Sequence, residues 1–320
     1  MDWIEVWQLL SPATEAALSG GSYYVSLLAI GLGIGILTGF FGVGGGFLVV
    51  PILNVMLGVR YEIAVGSSLS FIIGTSFAGL LRQRKAGNVH FGVAGYLVAG
   101  SVLGAVLGDS LQMFLLNGIA GGNTALFTVF MHSIFIVVLV GTIFAMRSSN
   151  NSSEADTAAT KKAAVNDRSD APLLAKIGPP PKFHIVEWAG FGFSVPGTFL
   201  VGALIGVFTG LLGIGGGVLL VPVLLGLFGL SHQKAAGTSL AIIFATAVVA
   251  VIKKSLSAVP KVSLPMTLIL LVASVIGVQL GVYLVKRVSG SGFRRLFVYV
   301  LLAAIAMIVT DLVLTYVNLS

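Results

Sequence analysis

The chain has no cysteine among its 320 residues, which excludes disulfides, thiolate metal sites and a cysteine nucleophile. Charge is almost as scarce. Only 9% of the residues are Asp, Glu, Lys or Arg, against about a quarter in a soluble domain. So few charges cannot cover a water-facing surface, so lipid is the solvent for most of the chain. Lys and Arg are absent before Arg60. The first 22 residues carry Asp2, Glu5 and Glu15 without the basic start of a secretory signal, and none is expected there. The sequence also lacks paired intramembrane carboxylates, a histidine-rich cluster and a nucleophile–base pair. It is therefore read as no enzyme, with no metal and no cofactor.

What is present is apolar: 57% of residues are hydrophobic and the mean hydropathy is +1.05. Apolar segments fall at about 23–57, 64–81, 89–108, 124–146, 197–228, 235–252, 262–284 and 296–317. Most reach the roughly 20 residues that cross a hydrocarbon core. The 42 glycines suit close helix approach and breaks where protein lines a cavity. A net charge of +7 comes from short basic clusters between apolar runs. Their expected partners are lipid headgroups, not nucleic acid. The composition predicts a multi-pass protein of the inner cell membrane.

Between the fourth and fifth segments lies a polar stretch from Arg147, rich in Ser, Asn, Asp and Lys and closing on Pro179-Pro180-Pro181. It cannot bury enough apolar surface to fold and reads as a linker, mostly disordered. The expected organisation is a polar N-terminal segment over 1–22, a first transmembrane repeat over 23–146, the linker over 147–196 and a second repeat over 197–320. The repeats are visible as a duplication. Thr38-Gly39-Phe40-Phe41-Gly42-Val43-Gly44-Gly45-Gly46 matches Thr209-Gly210-Leu211-Leu212-Gly213-Ile214-Gly215-Gly216-Gly217, and about fifteen of the thirty-two positions from Thr38 to Leu69 recur 171 residues later. Ser101-Val102-Leu103-Gly104 recurs at Ser274 with a two-residue slip. Such self-similarity marks an internal repeat.

The first segment of each repeat is too long for one crossing. Thirty-five helical residues would span roughly 52 Å at 1.5 Å each, and glycine triplets and a proline interrupt them. Each therefore reads as two helical pieces around an unwound glycine loop. If both pieces continue across, the loop Lys and Arg divide evenly between the two faces. If each turns back as a hairpin, each repeat crosses three times and the repeats are inverted. Eight basic residues, Arg82, Arg84, Lys85, Lys234, Lys286, Arg287, Arg294 and Arg295, then share one face against Arg60, Lys253, Lys254 and Lys261. The positive-inside rule favours that arrangement. The fold expected is thus an all-α polytopic membrane protein of two pseudosymmetric, inverted repeats with both termini outside the cytoplasm.

The glycine loops carry the chemistry. An anion inside a membrane needs donors that are cheap to desolvate, and backbone N–H groups at a helix N-terminus supply them with the helix dipole behind them. Gly44, Gly45 and Gly46 are placed for this, and Gly215, Gly216 and Gly217 repeat the device. Paired breaks at matching positions point to a midplane transport site; tight helix crossing is the competing use of the same glycines. Neither loop has the GxxxxGK[ST] pattern of a nucleotide site. Ser67, Ser68, Thr238 and Ser239 follow, either as supporting donors or as helix N-caps. Arg82 and Lys253 occupy equivalent positions where they would attract an anion to either mouth. Glu62, Asp109 and His132 are candidates for proton coupling, as ionisable groups near or in apolar segments, and Asp311 lies in the last segment.

The run GFFGVGGGFLVVP, then GSSLSF and Arg82-Gln83-Arg84-Lys85-Ala86-Gly87-Asn88-Val89, resembles the sulfite exporter TauE/SafE family. GLLGIGGGVLLVP, GTSLAI and Lys253-Lys254 resemble that family's second repeat. The likeness covers nearly the whole chain apart from the first 20 residues and the linker. It departs where Ser255-Leu256-Ser257-Ala258-Val259-Pro260 replaces the Lys-Ala-Gly-Asn-Val turn. The resemblance implies a transporter, in the exporting direction, of sulfite, sulfoacetate or another organosulfonate. From the residues alone, a passive anion channel and a permease for a different small organic anion remain open.

Overall fold

The computed structural model describes residues 21–57, 59–119, 124–148, 185–188, 191–255, 264–285 and 287–319. Nearly all of the N-terminal segment, most of the linker, Lys261, Lys286 and the side chain of Asp311 lie outside the described residues. The first repeat comprises α1 (Gly21–Phe41), α2 (Gly46–Pro51, extended by a π-turn over Ile52–Met56), α3 (Tyr61–Lys85), α4 (Phe91–Phe114, with a π-turn over Leu115–Ile119) and α5 (Thr124–Ser148). The second comprises α6 (Val195–Leu212), α7 (Gly217–Gly226), α8 (His232–Ser255), α9 (Leu264–Val285) and α10 (Gly290–Leu319). Seven described helices are long and apolar enough to cross a membrane. Within the stretch read as linker, β1 (Ile185–Trp188) and β2 (Phe191–Ser194) form an antiparallel ribbon, Val186 facing Phe193 across the pair. Branched and aromatic residues there favour pairing, a feature the surrounding polar composition masks.

Each glycine loop turns the chain back. After α1, Gly42 takes a left-handed φ of 71° and Gly45 one of 76°, and α2 departs antiparallel to α1. It packs along α3, because a Cβ on Gly46 would lie 3.0 Å from Ser68 Oγ. At its far end the chain reaches the start of α3, where Val59 N–H donates to Leu53 O at 2.9 Å and Asn54 Nδ2 to Val59 O at 2.7 Å. Pro51 lacks the N–H that a continuous α-helix would use, and the π-turn begins directly after it. The first segment is thus two helical pieces joined at the glycine loop.

Two kinds of contact join the repeats. Equivalent helices α3 and α8 cross antiparallel at the centre: Phe77 meets Phe244 with ring centroids 5.3 Å apart, and Gly79 faces Leu240. The first helix of each repeat packs on the fourth helix of the other, α1 on α9 and α6 on α4. A Cβ on Gly31 would lie 2.5 Å from Leu270 O, and one on Gly202 would lie 2.5 Å from Leu97 O. One turn on, a Cβ on Gly35 would overlap the Ser274 backbone, and one on Gly206 the Ser101 backbone. These are the two duplicated blocks in contact with each other's partners. Small residues at four-residue spacing let the helix backbones touch, which lipid-solvated helices need for association by packing. Phe40 and Phe41 at the end of α1 add an aromatic cluster with Phe293 and Phe297 of α10.

Candidate anion site

The glycine loops of the two repeats meet. A Cβ on Gly217 would fall on the Val43 backbone, and one on Gly46 would lie 3.1 Å from Gly213 O. Gly44 and Gly215 both face Ile72 and Ile243, from the middle of α3 and α8. Gly45 and Gly216 precede α2 and α7 with φ of 76° and 69°, a conformation that L side chains rarely adopt. Beneath them lie Thr38 Oγ1 and Thr209 Oγ1, each 2.5 Å from where a Cβ would stand. The hinge residues are internally bonded, Gly42 N–H to Thr38 O at 2.8 Å and Gly213 N–H to Thr209 O at 2.9 Å. Between hinge and helix the amides of Gly44, Gly45, Gly46, Gly215 and Gly216 make no well-formed backbone hydrogen bond among the described residues, and a turn spans Gly215 and Gly216 ahead of Gly217. All six residues are buried. A buried donor without an acceptor costs about 1–3 kcal/mol, and here two helix N-termini collect several such donors with the positive ends of their dipoles.

The hydroxyls are not N-caps. Helix α3 begins at Tyr61 and α8 at His232, so Ser67, Ser68, Thr238 and Ser239 lie well inside the helices. The preceding Gly66 and Gly237 are absorbed into them, since helix packing outweighs one glycine's propensity cost of about 1 kcal/mol. Ser68 Oγ donates to Gly213 O at 3.1 Å and Ser239 Oγ to Gly42 O at 2.6 Å. These bonds are equivalent, and each ties one repeat's helix to the other repeat's loop. Both hydroxyl hydrogens thus brace the loops. Thr238 Oγ1 accepts from His90 N–H at 3.0 Å, and Ser67 is buried nearby on α3.

His90 itself caps α4 by accepting from Val93 N–H through Nδ1 at 3.3 Å. Burial, and then the charge of Lys234, lower its pKa. Arg82 is exposed and donates to Gln279 Oε1 at 2.5 Å. At the opposite mouth Lys253 donates to Val106 O at 2.5 Å and to Ser110 Oγ at 2.6 Å. Val106 and Gln279 are equivalent positions, so the two cations reach across the repeats alike. Neither approaches the loops.

The expected proton-coupling residues do not form one cluster. Glu62 is buried, with Arg60 Nε 3.8 Å away and its Oε1 unpartnered. His132 packs edge-on to the Tyr61 ring at 5.8 Å. Asp109 instead pairs with Lys254, whose Nζ stands 2.6 Å from Oδ1. Sequence reasoning chose Lys253 and passed over Lys254. Adjacent helical residues point about 100° apart, so a two-lysine run at a helix end has one member facing the neighbouring helix. Which member does so follows from the packing of α8 on α4.

The family model for the sulfite exporter TauE/SafE matches residues 27–308. "Probable membrane transporter protein MJ0441" of Methanocaldococcus jannaschii is 24% identical over 282 residues, covering 84% of this chain and 88% of that protein. "Probable membrane transporter protein YjnA" of Bacillus subtilis is 36% identical over 83 residues, 26% of this chain and 32% of its own length. "Probable membrane transporter protein YunE" from the same organism is 34% identical over 92 residues, 28% of this chain and 34% of its own length. No solved structure matches the chain.

Proposed function

The chain belongs to the sulfite exporter TauE/SafE family, and from that premise we propose that it exports a small, singly charged sulfur oxyanion by alternating access. Sulfite in its bisulfite form, sulfoacetate and other organosulfonates are the cargo class. The reading is carried by one observation: buried amide donors without acceptors on two glycine loops that meet between the repeats. The anion sits between Gly44-Gly45-Gly46 and Gly215-Gly216-Gly217. Ser68 and Ser239 hold the loops there, and Ser67 and Thr238 support them from the same helices. Amides alone compensate a single charge better than two. Arg82 and Lys253 draw the anion to each mouth. The repeats are inverted in the inner membrane, with both termini outside the cytoplasm, so a reporter fused at Ser320 is expected to be inactive in the cytoplasm.

Flux in proteoliposomes over sulfite, sulfoacetate, taurine, thiosulfate and sulfate tests the proposal. Saturable uptake of a sulfonate, accelerated by the same sulfonate on the far side, is the expected result. Flux that neither saturates nor accelerates would mean a passive anion channel. Saturable flux of unrelated carboxylates alone would mean a permease for a different small organic anion. Gly45→Val, compared at equal membrane abundance, is expected to abolish transport. Normal transport by a correctly inserted variant would show that the loops are packing devices.

A further inference from the structure

Among the described residues, the end of α8 holds an ion cluster that the equivalent end of α3 lacks. Lys254 is 1% exposed and Asp109 4%. Lys254 Nζ donates to Asp109 Oδ1 at 2.6 Å and to Gln112 Oε1 at 2.7 Å. Lys253 Nζ lies 3.6 Å from Asp109 Oδ2, and its side chain is 29% exposed. The cluster is thus buried on one side and reached by solvent on the other. Among the described residues two ammoniums and one carboxylate leave one positive charge in excess. Lys254 also fixes the Gln112 amide, because an ammonium must face the oxygen. The Gln112 Nε2 consequently points away, and it is buried with no partner among the described residues. An orphaned donor beside an excess positive charge is suited to an anion's oxygen. At the other mouth the equivalent positions are Gln83 for Lys254, Val282 for Asp109 and Val285 for Gln112.

This cluster is separate from the glycine loops. Lys254 lies eleven residues along α8 from Ile243, which faces Gly44, or about 16 Å at the helical rise.

We propose that Lys253, Lys254 and Gln112 bind an oxyanion at this mouth, and that Asp109, by holding the cluster at a net charge of +1, makes it select a singly charged anion over a doubly charged one. A monoanion neutralises the cluster. A dianion leaves it negative in a poorly solvated place, where an uncompensated charge is costly. Asp109 is a specificity-determining residue here; its oxygens touch the lysines. The inference rests on the transport reading for its cargo, while its geometry stands independently.

The test uses the full chain with methanesulfonate as monoanion and sulfate as dianion. Binding is read from anion-dependent thermal stabilisation in detergent, and flux from proteoliposomes. The unaltered protein is expected to bind methanesulfonate more tightly than sulfate. Asp109→Asn takes the cluster to +2, and the ratio of the two dissociation constants should shift towards sulfate on the order of tenfold. Asp109→Asn combined with Lys253→Gln restores +1 and should restore the original ratio. If Asp109→Asn does not fold, Lys253→Gln alone is informative. It should weaken both anions and sulfate more. An unchanged ratio in Asp109→Asn, or unchanged constants in Lys253→Gln, would overturn the inference. Binding with the expected ratios but no flux would sink the transport reading and leave this site standing.

Discussion

Thr38 to Gly46 and Thr209 to Gly217 superpose in their roles almost residue for residue, whereas the ends of α3 and α8 do not. At the centre the equivalences are close: Ser68 to Gly213 and Ser239 to Gly42, Thr38 under Gly45 and Thr209 under Gly216. At the ends, Lys254 has a buried carboxylate partner, while Gln83 accepts from Asn88 Nδ2 at 2.7 Å and the position equivalent to Asp109 is Val282. The two loops pack on each other and each is braced by the other repeat's helix, so a change in one has to be matched in the other. The ends of α3 and α8 carry no such mutual constraint and are free to differ.

The largest expected effect comes from breaking the loop contact on one side only. Gly217→Ala places a methyl on the Val43 backbone, which cannot move without displacing the other loop. Overpacking of this kind should cost about 3 kcal/mol or more. The equivalent Gly46→Ala meets chiefly the flexible tip of Ile72 and should cost about 1 kcal/mol. Thermal unfolding of both variants in one detergent checks the order, and equal destabilisation would contradict the asymmetric contact.

Next comes the ion pair. Lys254→Met leaves Asp109 with the more distant Lys253, and removing one partner of a buried pair costs about 3–5 kcal/mol. Gln83→Leu at the equivalent position removes an unpartnered Nε2 together with the bond Oε1 accepts from Asn88, and should change stability by about 1 kcal/mol. Chemical or thermal denaturation of the two variants sharpens the contrast between mouths.

Smaller effects should be equal across the repeats. Ser239→Ala and Ser68→Ala each remove one hydroxyl bond to a loop carbonyl and should each cost on the order of 1 kcal/mol. A large effect of one alone would mean that only one loop needs its brace. Arg82→Gln should slow transport at sub-saturating substrate and flatten its salt dependence without altering stability measurably.

The smallest expected effect is the contribution of His90 to the pH dependence of stability. The His90 pKa lies below its ordinary value in the fold, so the unfolded chain takes up the proton first. Stability from the neutral cap is therefore present above about pH 6.5 and falls as pH drops below that towards the folded value. Replacing His90 with Asn, which caps without titrating, should make the denaturation midpoint measured between pH 5 and 7 less steep in pH.

Much of this molecule is legible before any coordinates. Apolar segment length and charge scarcity dictate membrane helices, because each is a transfer property of the residues concerned. The offset of 171 identifies the repeats, and the glycine triplets with Pro51 and Pro222 locate the breaks, because local backbone limits act within a few residues. The unequal spread of Lys and Arg favours the hairpin over a single crossing of each first segment. Other features are long-range and carry no local signal. Ser68 and Gly213 lie 145 residues apart, and nothing near either indicates that the hydroxyl braces the opposite loop and not its own helix start. Lys253 and Lys254 are indistinguishable as letters. The rotation of α8 against α4 sends one to solvent and buries the other beside Asp109, because a helix's neighbours, which lie far away in the chain, set which face of it is inside.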